Sequence, residues 1–224
     1  MSALTTRDFE RYRDLPSLTL DGCDSLAVLE QSPQIEILHL QHFPKVRSLS
    51  PLSSLIRLRA LSLHSTPAWD GTNRHLLVES FEPLVALRKL ELISILGVVP
   101  ERGRLESLSH ILSLQKVAVG NTNFYQLEDF AALSVSLPRA RDSLQPVFQM
   151  NFVTICHQCQ SHSLLFLAGA KPRSPRYVCP SCGRKKIVAH LERWNRAGGL
   201  PRYDSLDQFS TSDFIEKFGN PYAK

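Results

Sequence analysis

Residues 35–63 read IEILHLQHFPKVRSLSPLSSLIRLRALSL and contain one short phrase twice. The phrase is L-x-x-L-x-L, which begins at Ile35, with isoleucine in the first place, and again at Leu58. An internal repeat of this kind predicts that the chain is built from equivalent structural units. Further copies begin at Leu15, Leu87 and Leu114, the last with valine in its second and third apolar places.

Each copy joins two different periodicities. Leu38 and Leu40 flank His39, and this alternation predicts a short strand with two apolar side chains facing inward and one polar side chain facing outward. Every third residue from Leu49 to Leu58 is leucine, which is the spacing of a helical or 3₁₀ segment. A unit of strand, turn and helical return cannot bury its apolar face alone, so the units must stack.

The five starts lie 20, 23, 29 and 27 residues apart, within the roughly 20–29-residue period of leucine-rich repeats. The chain therefore resembles leucine-rich repeat proteins. This resemblance implies an α/β fold over residues 15–149, with about five to six repeats in a short solenoid and a parallel sheet on its concave side. A leucine-rich helical bundle is the competing interpretation, but it gives no reason for five copies of the phrase.

Three segments around the repeats carry their own predictions. Residues 1–14 are predicted to form a helix that caps the first repeat, since the open end of a solenoid needs a polar cover. Residues 64–80, with Trp69 near the middle, are predicted to form a loop because they contain Pro67, Gly71 and Asn73. A degraded sixth copy is predicted to start at Leu137.

Charge is distributed unevenly along the chain. Residues 1–150 contain 15 Lys/Arg and 16 Asp/Glu, a net charge of −1, whereas residues 151–224 contain 11 and 5, a net charge of +6. The shift supports a domain boundary near residue 150. No apolar run of about 18 residues occurs, and residues 1–14 lack the apolar segment of a secretory signal. These features, together with paired cysteines, predict a cytoplasmic protein.

Four of the five cysteines form two C-x-x-C pairs, at 156–159 and 179–182. This spacing is typical of zinc sites, in which two tight turns aim four thiolates at one ion. The sequence therefore predicts one structural Zn²⁺, because four cysteines leave no open coordination position. The ligands are predicted to be Cys156, Cys159, Cys179 and Cys182.

The surroundings of the cysteines resemble a zinc ribbon over residues 150–197. Strands are predicted at 151–155, 163–169 and 176–178, and residues 185–198 are predicted to be a strand that turns into a helix. Residues 198–224 are a tail predicted to dock on the ribbon or on the last repeat. Residues 171–196 hold eight basic residues and one acid, so an alternative function is nucleic-acid binding. Its predicted contacts are Arg176, Arg184, Lys185 and Lys186.

Outward positions of the predicted strands carry both signs of charge and several polar groups, a composition that suits a folded protein partner. One outward column is predicted to contain Thr19, His39, Ser62, Glu91 and Ala118, with Arg141 of the degraded sixth copy at its end. A second is predicted to contain Asp21, Gln41, His64, Ile93 and Gly120. Arg59 and Arg88 are the predicted anchors, because a guanidinium can hold a carboxylate with two hydrogen bonds. The predicted partner-binding residues are Glu36, His39, Gln41, Arg59, His64, Trp69, Arg88, Lys89 and Glu91.

The sequence contains no Ser-His-Asp arrangement, no paired carboxylates and no phosphate-binding loop in its repeat half. We therefore expect a non-enzymatic protein-interaction module, of the kind found among toxin-neutralising immunity proteins and adaptors. The alternatives are a nucleic-acid-binding protein that uses the basic ribbon and an accessory subunit of an enzyme complex.

Overall fold

The fold is taken from a computed structural model of the chain. The predicted capping helix at 1–14, Trp69 and Arg176 lie outside the residues that this structure describes. The described residues are 16–65, 75–120, 124–150, 155–160, 164–169 and 177–203.

Five parallel strands form the main sheet, in the order β1-β2-β3-β5-β7. In each strand two alternate apolar side chains face the core, and the inward leucines of one strand lie beside those of the next. The sheet and its stacked units confirm the leucine-rich repeat fold. The strands are β1 (Ser17–Asp21), β2 (Ile37–Gln41), β3 (Ala60–His64), β5 (Leu92–Leu96) and β7 (Lys116–Val119).

The predicted helical returns are 3₁₀ helices, as the three-residue spacing of leucine indicates. In the second unit Leu49, Leu52, Leu55 and Leu58 are all at most 1% exposed, so every third side chain enters the core. Neighbouring returns pack on one another and form the side opposite the sheet. The 3₁₀ helices are Ala27–Gln31, Ser50–Ser54, Glu82–Ala86, Glu106–His110 and Arg141–Ser143.

The predicted register of the fourth copy is wrong by three residues. Ser62 pairs with Ser94, and Leu61 pairs with Ile93, so the fourth phrase begins at Leu90 instead of Leu87. The sequence fits both positions because leucine or isoleucine recurs at three-residue steps there. Ser94 therefore takes the place predicted for Glu91 in the first outward column. Leu96 takes the place predicted for Ile93 in the second.

The predicted loop at 64–80 contains a strand. Leu76–Val78 (β4) pairs in parallel with Val98–Pro100 (β6) in a separate two-stranded sheet. Leu76 and Val78 are buried, so the apolar pair anchors the end of this insertion on the core. Residues 66–74 lie outside the described residues.

The solenoid ends without a sixth parallel strand among the described residues. Helix α1 (Leu127–Ser136) forms the last long return. The segment at Leu137, predicted to start a sixth copy, leads into a 3₁₀ helix instead. The following strand, β8 (Val147–Met150), pairs antiparallel with β9 (Leu164–Leu167) rather than with β7.

The C-terminal part is a three-stranded antiparallel sheet, β8-β9-β10, followed by a helix. Strand β10 is Tyr177–Val178, and helix α2 is Arg184–Arg196. The strand predicted to begin at Lys185 is wrong, because α2 starts directly after the second cysteine pair. A three- to four-residue apolar spacing, Ile187, Leu191 and Trp194, supports a helix from its first turn.

Helix α2 covers the end of the solenoid. Trp194 is fully buried in the same apolar cluster as Leu127 and Phe130 of α1. Gly169, with φ +60°, lies against the start of α1, where an added Cβ would stand 2.2 Å from the backbone nitrogen of Leu127. Only glycine permits this close approach between the two parts.

The described part of the tail docks on both parts. The Trp194 indole donates a hydrogen bond to the carbonyl of Pro201 (3.0 Å), and the backbone N–H of Leu200 donates to the Ser134 hydroxyl (2.9 Å). The Tyr203 hydroxyl bonds Gln145. Residues 204–224 lie outside the described residues. The predicted domain limits, at residues 14/15, 149/150 and 197/198, stay predictions. Among the helices that the structure describes, none combines the length and the apolar composition of a membrane-spanning segment.

Candidate functional site

The four predicted ligands meet at one point. Cys156 and Cys159 lie in a turn between β8 and β9, and Cys179 and Cys182 lie in the turn from β10 into α2. All four sulfur atoms are within 4.8 Å of one another. The Sγ–Sγ distance is 3.9 Å for Cys156 and Cys182 and 3.4 Å for Cys159 and Cys179. Four sulfurs around one Zn²⁺ at about 2.3 Å stand about 3.8 Å apart, so this cluster can hold a metal ion.

Backbone hydrogen bonds close both turns in the same way. The N–H of Gln160 donates to the carbonyl of Cys156, and the N–H of Gly183 donates to the carbonyl of Cys179, each at 2.8 Å. Gln160, with φ +57°, adopts a left-handed backbone conformation at the end of the first turn. Each turn therefore presents its two thiols on the same side.

The thiols influence each other's ionisation. Backbone N–H groups of Cys159 and Gln158 lower the pKa of Cys156 to about 6. Hydrogen bonding with the Cys159 thiol, together with hydrogen bonding and charge repulsion from Cys156, raises the pKa of Cys182 to about 12. The cluster ionises as a unit, and a divalent cation would favour the fully ionised form because it offsets the repulsion between thiolates.

The cluster lies at the surface. Cys179 is buried and Cys156 is half-buried, whereas Cys159 and Cys182 are exposed. His190 contacts the backbone and is not part of the cysteine cluster. Its Nε2 lies 3.1 Å from the carbonyl oxygen of Pro146. Burial lowers the pKa of His190 to about 4, so this side chain is a neutral member of the packing between the two parts.

Basic residues follow the second cysteine pair immediately. Arg184, Lys185 and Lys186 are exposed in the first turn of α2, where the positive end of the helix dipole disfavours cations. They line a cavity of about 900 Å³ together with Cys156, Cys179, Cys182 and Glu192. Four thiolates and one divalent cation carry a net charge of −2, which these side chains can offset.

The predicted partner-binding residues separate into two groups. His39, Gln41 and His64 lie on the outward face of β2 and β3. His64 Nε2 is 2.9 Å from the Ser94 hydroxyl. Burial lowers the pKa of both histidines, and electrostatic repulsion from His39 lowers the pKa of His64 further.

Part of the outward face is covered. Ser62, Ser94 and Ala118 are 4%, 7% and 9% exposed, so the middle of the sheet offers little open surface. Thr19 and Gln41, toward the β1 side, are exposed. The accessible part of this face is therefore the end formed by β1 and β2.

Glu36, Arg59, Arg88, Lys89 and Glu91 form the second group, which lies just before the strands. Backbone hydrogen bonds join this edge, from the N–H of Arg59 to the carbonyl of Glu36 (2.8 Å) and from Glu91 to Arg59 (2.9 Å). Equivalent positions of successive repeats therefore stand in columns along the edge of the sheet.

This edge contains a depression of about 390 Å³, which we call the basic edge cleft. Sequence reasoning missed Arg57 and Arg139, because Arg57 lies just before a phrase and Arg139 lies in the degraded sixth copy. With the corrected register, Arg57 and Lys89 occupy equivalent places just before Leu58 and Leu90, a recurrence that would have indicated Arg57. The charged lining of the basic edge cleft consists of Arg57, Arg59, Arg88, Lys89, Arg139, Glu36 and Glu91.

Both carboxylates of the cleft are paired with arginine. Arg59 donates two hydrogen bonds to Glu91 Oε1, from Nη2 at 2.8 Å and Nε at 3.1 Å. Arg57 Nη2 donates to Glu36 Oε1 at 3.1 Å. The side chains of Glu36 and Glu91 are 13% and 17% exposed, compared with 56% and 36% for Arg57 and Arg59. The cations therefore cover the carboxylates.

No protein-family model matches the chain, and no curated protein matches its sequence. Two solved structures that it resembles are internalins of Listeria monocytogenes. The alignment with internalin inlF has 17% identity and a TM-score of 0.37, and it covers 58% of this chain and 42% of that one. For internalin C2 the identity is 20% and the TM-score 0.36, over 62% of this chain and 65% of that one. The chain thus spans less than two thirds of the length of either internalin.

Proposed function

We propose that the chain is a non-enzymatic protein-interaction module, in which a leucine-rich repeat solenoid presents the binding surface and a zinc-held module closes its C-terminal end. The observation that carries the proposal is the edge of the sheet. There, the cationic side chains of Arg57 and Arg59 remain accessible on a backbone fixed by repeat-to-repeat hydrogen bonds. On the outward face of the same sheet, Thr19 and Gln41 are exposed. Fixed, patterned charge favours orientation and rapid association with one protein partner.

We assign the metal site to one structural Zn²⁺. Four cysteines form a closed tetrahedral set, and thiolate ligands in this geometry favour zinc. The ion would hold the two turns together and thereby fix β8, β9, β10 and α2 over the last repeat. None of the five cysteines forms a disulfide bond, and the use of four of them as metal ligands suits a reducing compartment, so we place the protein in the cytoplasm.

The role of this chain would be that of an immunity protein, an adaptor or an accessory subunit of an enzyme complex. Among these roles, neutralisation of a toxin protein is our first choice. Nucleic-acid binding through Arg176, Arg184, Lys185 and Lys186 is the second candidate. Three of these cations stand beside the cysteine cluster, and their charge has a local role there. Nucleic-acid binding, for which a phosphate backbone would favour a uniformly basic surface, is therefore not needed to explain why these cations are present.

Site-specific photo-crosslinking tests the interaction surface in the full chain. A photoreactive amino acid at Gln41, which is exposed at the accessible end of the outward face, should give one discrete protein adduct in the native host. The same group at Glu30, exposed on a 3₁₀ return, is the matched control and should give little adduct. Equal adducts from both positions, or none from Gln41, would contradict the proposed surface.

A further inference from the structure

We infer that the basic edge cleft binds an acidic segment of the protein partner, rich in Asp or Glu and carrying an apolar residue. This inference rests on the proposed protein-binding function and names the chemistry that the partner must supply. It starts from the local charge. Five cations and two carboxylates line the cleft, a net charge of +3 on a repeat half whose net charge is −1.

Only some of the cations in the cleft form ion pairs with carboxylates among the described residues. Arg57 and Arg59 are each paired with one carboxylate. Among the described residues, Arg88, Lys89 and Arg139 have no ion pair with a carboxylate, and all three are exposed. The cleft can therefore accept further carboxylates without losing its internal pairs.

The internal pairs also arrange the cations for recognition. Glu91 holds the guanidinium of Arg59 with two hydrogen bonds, which reduces the side-chain freedom that binding would otherwise remove. Glu36 holds Arg57 in the same manner with one. A partner carboxylate would then meet donors that are already oriented.

Two exposed apolar residues are adjacent in sequence to residues that line the cleft. Ile56 and Leu112 are 62% and 70% exposed, and both stand two residues before the first leucine of a phrase, next to the positions of Arg57 and Ser113. Arg88 occupies the equivalent place in the repeat between them. Ile56 and Leu112 belong to the repeats of β3 and β7, which are separated by β5, and two strand spacings amount to about 10 Å.

This combination favours a peptide over a nucleic acid. A phosphate backbone would place continuous negative charge against Glu36 and Glu91, and it has no group that would cover exposed isoleucine and leucine. A peptide can alternate carboxylates with an apolar side chain, and a depression of about 390 Å³ holds only a few side chains. Charged contacts with an apolar neighbour are typical of protein interfaces.

The test is a selection of short random peptides displayed on phage against the full-length protein. We expect the selected peptides to be enriched in Asp and Glu around an apolar residue. One such peptide, measured by fluorescence anisotropy, should bind about ten- to a hundredfold more weakly to the Arg88→Glu/Lys89→Glu variant. Replacing its Asp and Glu by Asn and Gln should weaken binding similarly. Arg196→Glu, which changes an exposed cation on α2, is the matched control and should leave the affinity unchanged.

Three results would overturn the inference. These are a selection without an acidic consensus, equal binding of the selected peptide to the Arg88→Glu/Lys89→Glu variant, or an oligonucleotide of the same charge that binds the cleft more tightly than the peptide. Photo-crosslinking from Gln41 that persists in the double variant, with unchanged partner affinity, would reject the cleft while the proposed function stands. Absence of an adduct from position 41, in a chain with an unchanged cleft, would reject the proposed surface. The peptide selection would then still test whether the cleft binds an acidic peptide.

Discussion

Cys179→Ser is expected to abolish metal binding and unfold the C-terminal module while most of the solenoid stays folded. Cys179 is the buried cysteine of the cluster, and serine is a poor substitute for a thiolate. In isolated zinc-finger peptides the metal contributes about 10–16 kcal/mol to folding, so its loss is the largest single effect that we expect. Hydrogen exchange should show lost protection over 177–203 and retained protection in β2, β3 and β5.

The fifth cysteine supplies the control for this experiment. Cys23 is half-buried against the first repeats and takes no part in the cluster. Cys23→Ser should leave both the metal content and the protection of the C-terminal module unchanged. Retained protection in α2 after Cys179→Ser, with the metal gone, would show that packing on the solenoid holds the module without an ion.

Trp194→Ala is expected to destabilise the protein by about 3–5 kcal/mol. The indole is fully buried between α2 and the end of the solenoid, and its N–H is bonded to the carbonyl of Pro201. Removing it leaves a cavity in the shared apolar cluster and an unpaired carbonyl. Urea unfolding followed by circular dichroism measures the loss.

Two variants separate packing at this position from general surface effects. Trp194→Phe keeps an aromatic ring and should lose less stability than Trp194→Ala. Val135→Ala removes an apolar side chain that is 48% exposed on α1, and it should change stability by less than about 0.5 kcal/mol. A Trp194→Ala variant as stable as Val135→Ala would contradict the view that α2 closes the solenoid.

The repeat fold was predictable because its signal is physical and repeated. Alternation at Leu38 and Leu40 specifies a strand with one buried face, and leucine at every third position specifies a 3₁₀ return. Each unit reinforces the interpretation of the next, since all of them share one core. The parallel sheet and the 3₁₀ returns confirm both predictions.

The register of the fourth repeat was not predictable from the phrase alone. Leu87 and Leu90 both satisfy the pattern, and the choice is made by pairing with β3, where Leu61 meets Ile93. Strands β4 and β6 were hidden for a related reason, because each has three residues and gains its stability from the other. Contacts between distant segments decide such cases.

Most of the candidate site followed from residue spacing. The two C-x-x-C pairs fix their own turn geometry, so the convergence of four sulfurs needs little information from elsewhere. The basic edge cleft was only partly foreseen, because Arg139 reaches it from the segment after α1. The predicted roles of Trp69 and Arg176 stay predictions, since both lie outside the described residues.

Metal analysis of the full-length protein, purified without chelator, tests the account most directly. Inductively coupled plasma mass spectrometry should find one zinc per chain, in keeping with four sulfurs gathered within 4.8 Å. A thiol-specific reagent should release that zinc as the four thiolates react. A zinc content near zero, or equal zinc in the wild-type and Cys179→Ser proteins, would contradict the metal-held module on which the account depends.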